Sequence, residues 1–155
     1  MTQEQQALFE AFASPLVGLP VTHTWQGHGS AIFLEFGALT PSTRIRQDGS
    51  LGNPGGEMGL MIQWSWRIEG KRSILCGSWT NEHRWPRALA CLTKATVTRV
   101  MLFGRLPEID LALSNGVHVV SLMTAQGNPA WALFDRRGDG DRSLHVQRGH
   151  LCVEM

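Results

Sequence analysis

Apolar side chains recur at every second residue in several short runs, and this period is what most limits the fold. Ile32, Leu34 and Phe36 share one face of an extended segment, as do Ile62, Trp64, Trp66 and Ile68, with Gln63, Ser65, Arg67 and Glu69 on the opposite face. Such spacing suits half-buried strands. The order of these runs then repeats. Leu16 and Val21-Thr22 match Leu92 and Val97-Thr98 at an offset of 76, and Ile32, Leu34 and Phe36 match Ile109, Leu111 and Leu113 at 77. Trp66 falls on Trp131 once an insertion in the first half, "ALTPSTRIRQDGSLGNPGGE", is set aside. The pattern predicts an α+β, mostly β single domain over residues 1–155, with similar halves at roughly 3–79 and 86–155. Each half would hold a short helix and about four antiparallel strands, together forming a twisted sheet or a β-sandwich.

Local signals fill in the elements. Thr2 followed by Gln5 has capping-box spacing ahead of Ala7, Leu8, Ala11 and Phe12, which predicts a helix over residues 3–13, and Pro15 closes it. "EGKRS" reads as a hairpin turn into "SILCGSW", and Pro86 suits the first turn of a second helix carrying "RALACL". "ATVTRVMLF" is a strand, and Asn115-Gly116 predicts a type I′ hairpin. "RRGDGDR" is read as the turn between strands "WALFD" and "SLHVQ".

Composition narrows function by exclusion. Fourteen Lys and Arg against 13 Asp and Glu leave no basic stripe, which argues against a nucleic-acid partner. Cys76, Cys91 and Cys152 lack zinc spacing and cannot all pair, so free, buried thiols in a reducing cytoplasm are expected. Glu4 and Glu10 stand where a signal peptide would be apolar, and no run approaches the ~20 apolar residues of a membrane-spanning helix. No membrane association is expected.

The "LVGLPV" segment, the alternating strand ending at a glycine, the later Trp of "WALF" and the repetition of that scheme resemble a family of small uncharacterised bacterial proteins with two β-rich halves. Some of those proteins are similar to immunity or accessory factors encoded beside toxins. The second half departs from the pattern, reading "LTKATV" where the family scheme expects a glycine. The resemblance implies a scaffold and carries over no catalytic residue.

Candidate binding residues concentrate in "GSWTNEHRWPR", which holds Trp79, Glu82, His83, Arg84, Trp85 and Arg87, because Trp and Arg dominate binding hot spots. The insertion adds Arg44, Arg46 and Asp48 on a loop long enough to be functional. Its "GNPGGE" lacks the Lys-Ser/Thr of a phosphate loop. The pairs His23/His28 and His145/His150 lack a third ligand at matching spacing, so neither metal nor cofactor is expected. Cys76 or Cys91 with His83 and Glu82 is the one compact nucleophile–base combination, and its geometry is poor. The sequence points to a non-enzymatic cytoplasmic protein-binding module, with an immunity- or antitoxin-like role as its most concrete form. The alternatives are a small-molecule-binding domain or enzyme using the cleft between halves, and a structural homodimer.

Overall fold

The computed structural model describes all 155 residues, which form two short helices and two antiparallel sheets. The first half contributes α1 (Gln3–Ala13), β1 (Val21–Gln26), β2 (Ile32–Phe36), β3 (Met58–Ile62), β4 (Trp66–Glu69) and β5 (Ile74–Gly77). The second contributes α2 (Trp85–Ala90), β6 (Val97–Phe103), β7 (Glu108–Leu113), β8 (His118–Ser121), β9 (Trp131–Asp135), β10 (Arg142–Gln147) and β11 (His150–Glu154). The α+β, mostly β class read from the period-two pattern is the observed one. Thr2 caps α1 as expected, its Oγ1 accepting from Gln5 N at 3.2 Å.

Strands are exchanged between the halves. One sheet runs β1-β2-β3-β9-β10-β11 and the other β5-β4-β8-β7-β6, so β3 pairs with β9 and β8 with β4. Inward rows such as Leu34, Leu60 and Leu133 in the first sheet, and Leu111, Val119 and Ile68 in the second, are fully buried in one shared cluster. Helix α1 lies against edge strands β11 and β6, and α2 against edge strands β1 and β5, so each helix closes one open side of the sandwich.

Several hydrogen bonds occur in matched pairs at the sequence offsets noted above. Thr22 Oγ1 donates to Glu35 O at 3.3 Å and Thr98 Oγ1 to Ala112 O at 3.1 Å, each beside a register shift at the start of its strand. Trp66 Nε1 donates to Ser30 O at 2.7 Å and Trp131 Nε1 to Pro107 O at 3.0 Å. Phe9 of α1 meets Trp131 edge-on at 6.2 Å between ring centroids, and Trp85 of α2 meets Trp66 edge-on at 5.0 Å. Around the Pro20–Thr96 bridge, Gly18 N donates to Val97 O and Lys94 N to Val21 O, both at 2.8 Å. Gly18 has φ +94°, and Lys94 sits in the same left-handed region at +78°. Lys94 thus takes, at the position 76 residues after Gly18, a backbone conformation that costs a residue with a side chain about 1–2 kcal/mol.

Three local expectations change. The run "MIQWSWRI" is not one strand: Trp64 has φ +57°, and Ser65 N donates back to Gln63 O at 2.8 Å. This is a γ-turn of the strained, positive-φ kind. It sends β3 and β4 into different sheets and takes Trp64 off the buried face it was expected to share with Trp66. Second, the Asn115-Gly116 turn is not type I′, since only Gly116 has positive φ (+81°). Gly116 N bonds Leu113 O and Leu113 N bonds Val117 O, giving a three-residue loop with a glycine bulge. Third, of the three free thiols Cys76 is buried, Cys91 is exposed and Cys152 is intermediate.

Candidate functional site

The run Trp79–Arg87 does not form one patch. Trp85 is 1% exposed, packs on Trp66 and donates its Nε1 to Thr80 O at 2.8 Å, so it belongs to the core and offers no docking surface. Trp79, six residues earlier, is 95% exposed. Glu82, His83 and Arg84 form an exposed 3-10 turn begun by Asn81, whose Oδ1 accepts from His83 N at 3.4 Å. His83, Arg84 and Arg87 line a shallow depression of about 530 Å3 with Leu75, Ala88 and Cys91. Cys91 and His83 share this wall, but neither imidazole nitrogen of His83 is hydrogen-bonded to an orienting acid, and Cys76 lies inside the core. The nucleophile–base pair is not assembled.

Trp79 lines a separate cleft of about 340 Å3 with Ser30, Trp64, Ser65 and Ser78. The γ-turn swings the Trp64 indole outward to 46% exposure, and Ser30 holds the turn by donating its Oγ to Trp64 O at 2.9 Å. On the other wall Ser78 Oγ accepts from Trp66 N at 3.3 Å, while Thr80 N closes a turn on Gly77 O at 2.9 Å beneath Trp79. From sequence, the Trp pair of "IQWSWRI" could stack sugars or bases but its spacing favours the core, because a γ-turn in the middle of a period-two run leaves the period intact; nothing in the spacing marks the three serines.

The insertion, residues 38–57, is an ordered hairpin arm. Thr40 and Gly55 exchange hydrogen bonds of 2.7 and 3.0 Å at its base, and Arg46 N bonds Ser50 O at 2.8 Å near its tip. Asp48 accepts from both Ser50 N (2.9 Å) and Ser50 Oγ (2.6 Å), bonds that, with nearby Arg46, hold its carboxyl below the ordinary range. The Arg46 guanidinium reaches Ser50 Oγ and the Leu51 carbonyl. The cross-strand pair Ile45 and Leu51 is left 68% and 57% exposed, with Arg44 and Arg46 on either side of Ile45.

A buried carboxylate anchors the arm. Glu35, 2% exposed on β2, accepts from Gly56 N (3.0 Å), Arg136 Nη1 (2.8 Å) and Trp25 Nε1 (3.1 Å). Gly56 itself admits no side chain, because a Cβ there would lie 2.4 Å from Phe36 O. Asn53 Oδ1 and His23 Nε2 lie at 2.9 Å, and Glu57 Oε2 accepts from Ala38 N at 2.8 Å. Nearby, Arg137 and Arg142 both donate to buried Asp135; the hydrogen bonds from Arg137 hold its carboxyl far below the ordinary range, outweighing the opposing effect of burial. The arm leaves β2 at Gly37, whereas the tryptophan cleft lies beyond the other end of that strand at Ser30. Five strand residues, about 17 Å, separate the two features, so the surface expected to join them is two surfaces.

No cluster of three or more His, Cys, Asp or Glu side chains is placed to hold a metal ion, and no helix is long and apolar enough to cross a membrane. His23 faces Asn53 and His145 lies across from Cys152 in the sheet, which gives neither histidine pair a common focus. No protein-family model, curated protein or solved structure matches the chain.

Proposed function

We propose that this chain is a non-enzymatic protein-binding module whose arm, residues 38–57, docks into an apolar groove rimmed by carboxylates on another protein. The observation that carries the reading is the Ile45–Leu51 pair: two large apolar side chains held in register and exposed, on a hairpin whose backbone is already hydrogen-bonded. A preorganised segment binds without losing the ordering entropy that a floppy loop would. Arg44 and Arg46 beside Ile45 favour an acidic rim. The scaffold, in this reading, is one unit of helix and strands used twice, and the paired hydrogen bonds at offsets of 76 and 77 support that history. An immunity-like role fits a partner other than a strongly basic nuclease, since the chain has a net charge of only +1.

The test is affinity capture from the native cell extract with tagged wild-type chain and with Ile45→Ser/Leu51→Ser. The proposal expects a stoichiometric partner that the double variant loses and Trp79→Ala retains. A partner captured equally by the double variant would overturn it.

A further inference from the structure

The cleft between Trp64 and Trp79 has a composition unlike the rest of the surface. It is lined by two exposed indoles and three serines, with no charged side chain among the five lining residues. The hydroxyls are only partly used. Ser30 Oγ donates its proton to the Trp64 carbonyl and keeps its acceptor capacity, Ser78 Oγ accepts from Trp66 N and keeps its proton, and Ser65 donates its backbone N–H to Gln63 O and accepts from Leu122 N at its carbonyl while its hydroxyl takes no bond. The lining therefore offers both kinds of hydrogen-bonding capacity beside two exposed indoles. The volume, about 340 Å3, lies within the range of small-ligand sites.

Backbone strain at Trp64 is a second, independent observation. A tryptophan at the apex of a positive-φ turn is an outlier, and such outliers cluster at ligand sites. Without the turn, Trp64 would continue the buried face of Ile62 and Trp66. Trp79 likewise gains nothing from packing at 95% exposure.

We propose that this cleft binds a ring of a neutral saccharide, with the apolar ring face against the indoles and the ring hydroxyls on Ser30, Ser65 and Ser78. Aromatic faces accept C–H-rich surfaces, serine hydroxyls match hydroxyls as both donor and acceptor, and the absence of cationic side chains in the lining disfavours a phosphorylated ligand. The site adjoins a second depression of about 410 Å3 that shares Ser65, Ser78 and Trp79 and is also lined by Trp66, Ile74, Thr80 and Arg67, whose guanidinium is paired with Glu69. The shared lining makes the two depressions continuous, which favours an oligosaccharide over a single ring. The arm takes no part, so this inference stands or falls separately from the protein-docking proposal.

The experiment follows the six indole N–H resonances of 15N-labelled protein as neutral tetra- to hexasaccharides of glucose, xylose and N-acetylglucosamine are added to millimolar concentration, with adenosine and uridine as comparators. The expected result is that at least one saccharide shifts the Trp64 and Trp79 signals and leaves those of buried Trp85 and Trp131 in place. Trp64→Ala and Trp79→Ala should each weaken that binding at least about tenfold, while Trp25→Ala does not. Retained indole shifts of Trp85 and Trp131 show that each variant is folded. No shift with any saccharide, a shift that survives both substitutions, or a shift with the nucleosides alone would overturn the proposal.

Discussion

Across β1, β2, β3 and β9 the outward row of the six-stranded sheet is Trp25, Phe33, Met61 and Ala132; the matching row across β6, β7, β8 and β4 of the five-stranded sheet is Met101, Asp110, Val120 and Arg67. The next row pairs His23, Glu35, Gly59 and Phe134 with Arg99, Ala112, His118 and Glu69. Facing inward, the two sheets carry the same kind of aliphatic ladder; facing outward they share almost no chemistry. On the five-stranded sheet the charges pair with one another, His118 with Asp110 at 2.7 Å and Arg67 with Glu69, as on an ordinary solvated face. On the six-stranded sheet Trp25 and Phe33 stack at 3.7 Å, and Glu35 is buried to hold the arm. The inward positions are constrained alike by one shared core, so what distinguishes the two sheets is the chemistry of their outer faces. That difference places the arm, its Glu35 anchor and the Trp64 turn in the first half, where the second half has Asn115-Gly116, Ala112 and the longer β8–β9 connection.

The comparison can be broken first at the aromatic pairs. Trp85→Ala removes one of the two matched helix-to-strand contacts and should cost about 3–5 kcal/mol, whereas Trp79→Ala should change stability by less than about 0.5 kcal/mol. Urea denaturation of both variants checks this, and equal losses would return Trp79 to the core. Glu35→Ala should cost about 2–3 kcal/mol, below the ~3–5 of a fully enclosed pair because Arg136 reaches solvent. Its hydrogen exchange should quicken at Gly56 N–H and leave the five-stranded sheet protected.

Acid offers a third probe. Asp135 is ionised more readily in the folded chain than unfolded, so its stabilising contribution is complete above the unfolded value of about 4 and fades as pH falls toward the depressed folded value. Thermal melts of Asp135→Asn should therefore be lower than wild type at pH 7, and the gap should begin to narrow below about pH 4 and keep narrowing to the lowest pH at which the chain stays folded. The smallest effect is expected at Lys94. Lys94→Gly removes the left-handed strain but adds freedom to the unfolded chain, for a net gain of up to about 1 kcal/mol. The reverse change at the matching position, Gly18→Lys, should lose a similar amount, since open space surrounds Gly18 and only the backbone objects.

Much of the fold was legible because burial imposes a period of two on strands and both halves obey it. Ile32, Leu34, Phe36, Ile109, Leu111 and Leu113 could be placed inside from spacing alone, and Thr2 and Pro86 marked the helix starts. The exchange of strands was not legible, since β3–β9 and β8–β4 pairing depends on register between distant segments. The candidate sites were half legible. Trp79 and Trp85 stand in similar local sequence, and only the packing of α2 on Trp66 sends one inward and leaves the other in solvent. Glu35 looked like the polar member of an alternating strand; its partner Arg136 lies 101 residues away. Arg44, Arg46 and Asp48 were found from loop length, yet the exposed Ile45–Leu51 pair between them became visible only once the arm's ladder was seen.

The most direct test of the binding account removes the arm at its own base. Thr40 and Gly55 already face each other through two hydrogen bonds, so an Asn-Gly turn can replace residues 41–54 without disturbing Glu35, Gly56 or Glu57. Affinity capture from the native extract should then recover a stoichiometric partner with the wild-type chain and none with the shortened one, whose buried tryptophan signals remain native. Recovery of the same partner at the same stoichiometry by both chains, or by neither, would contradict the account.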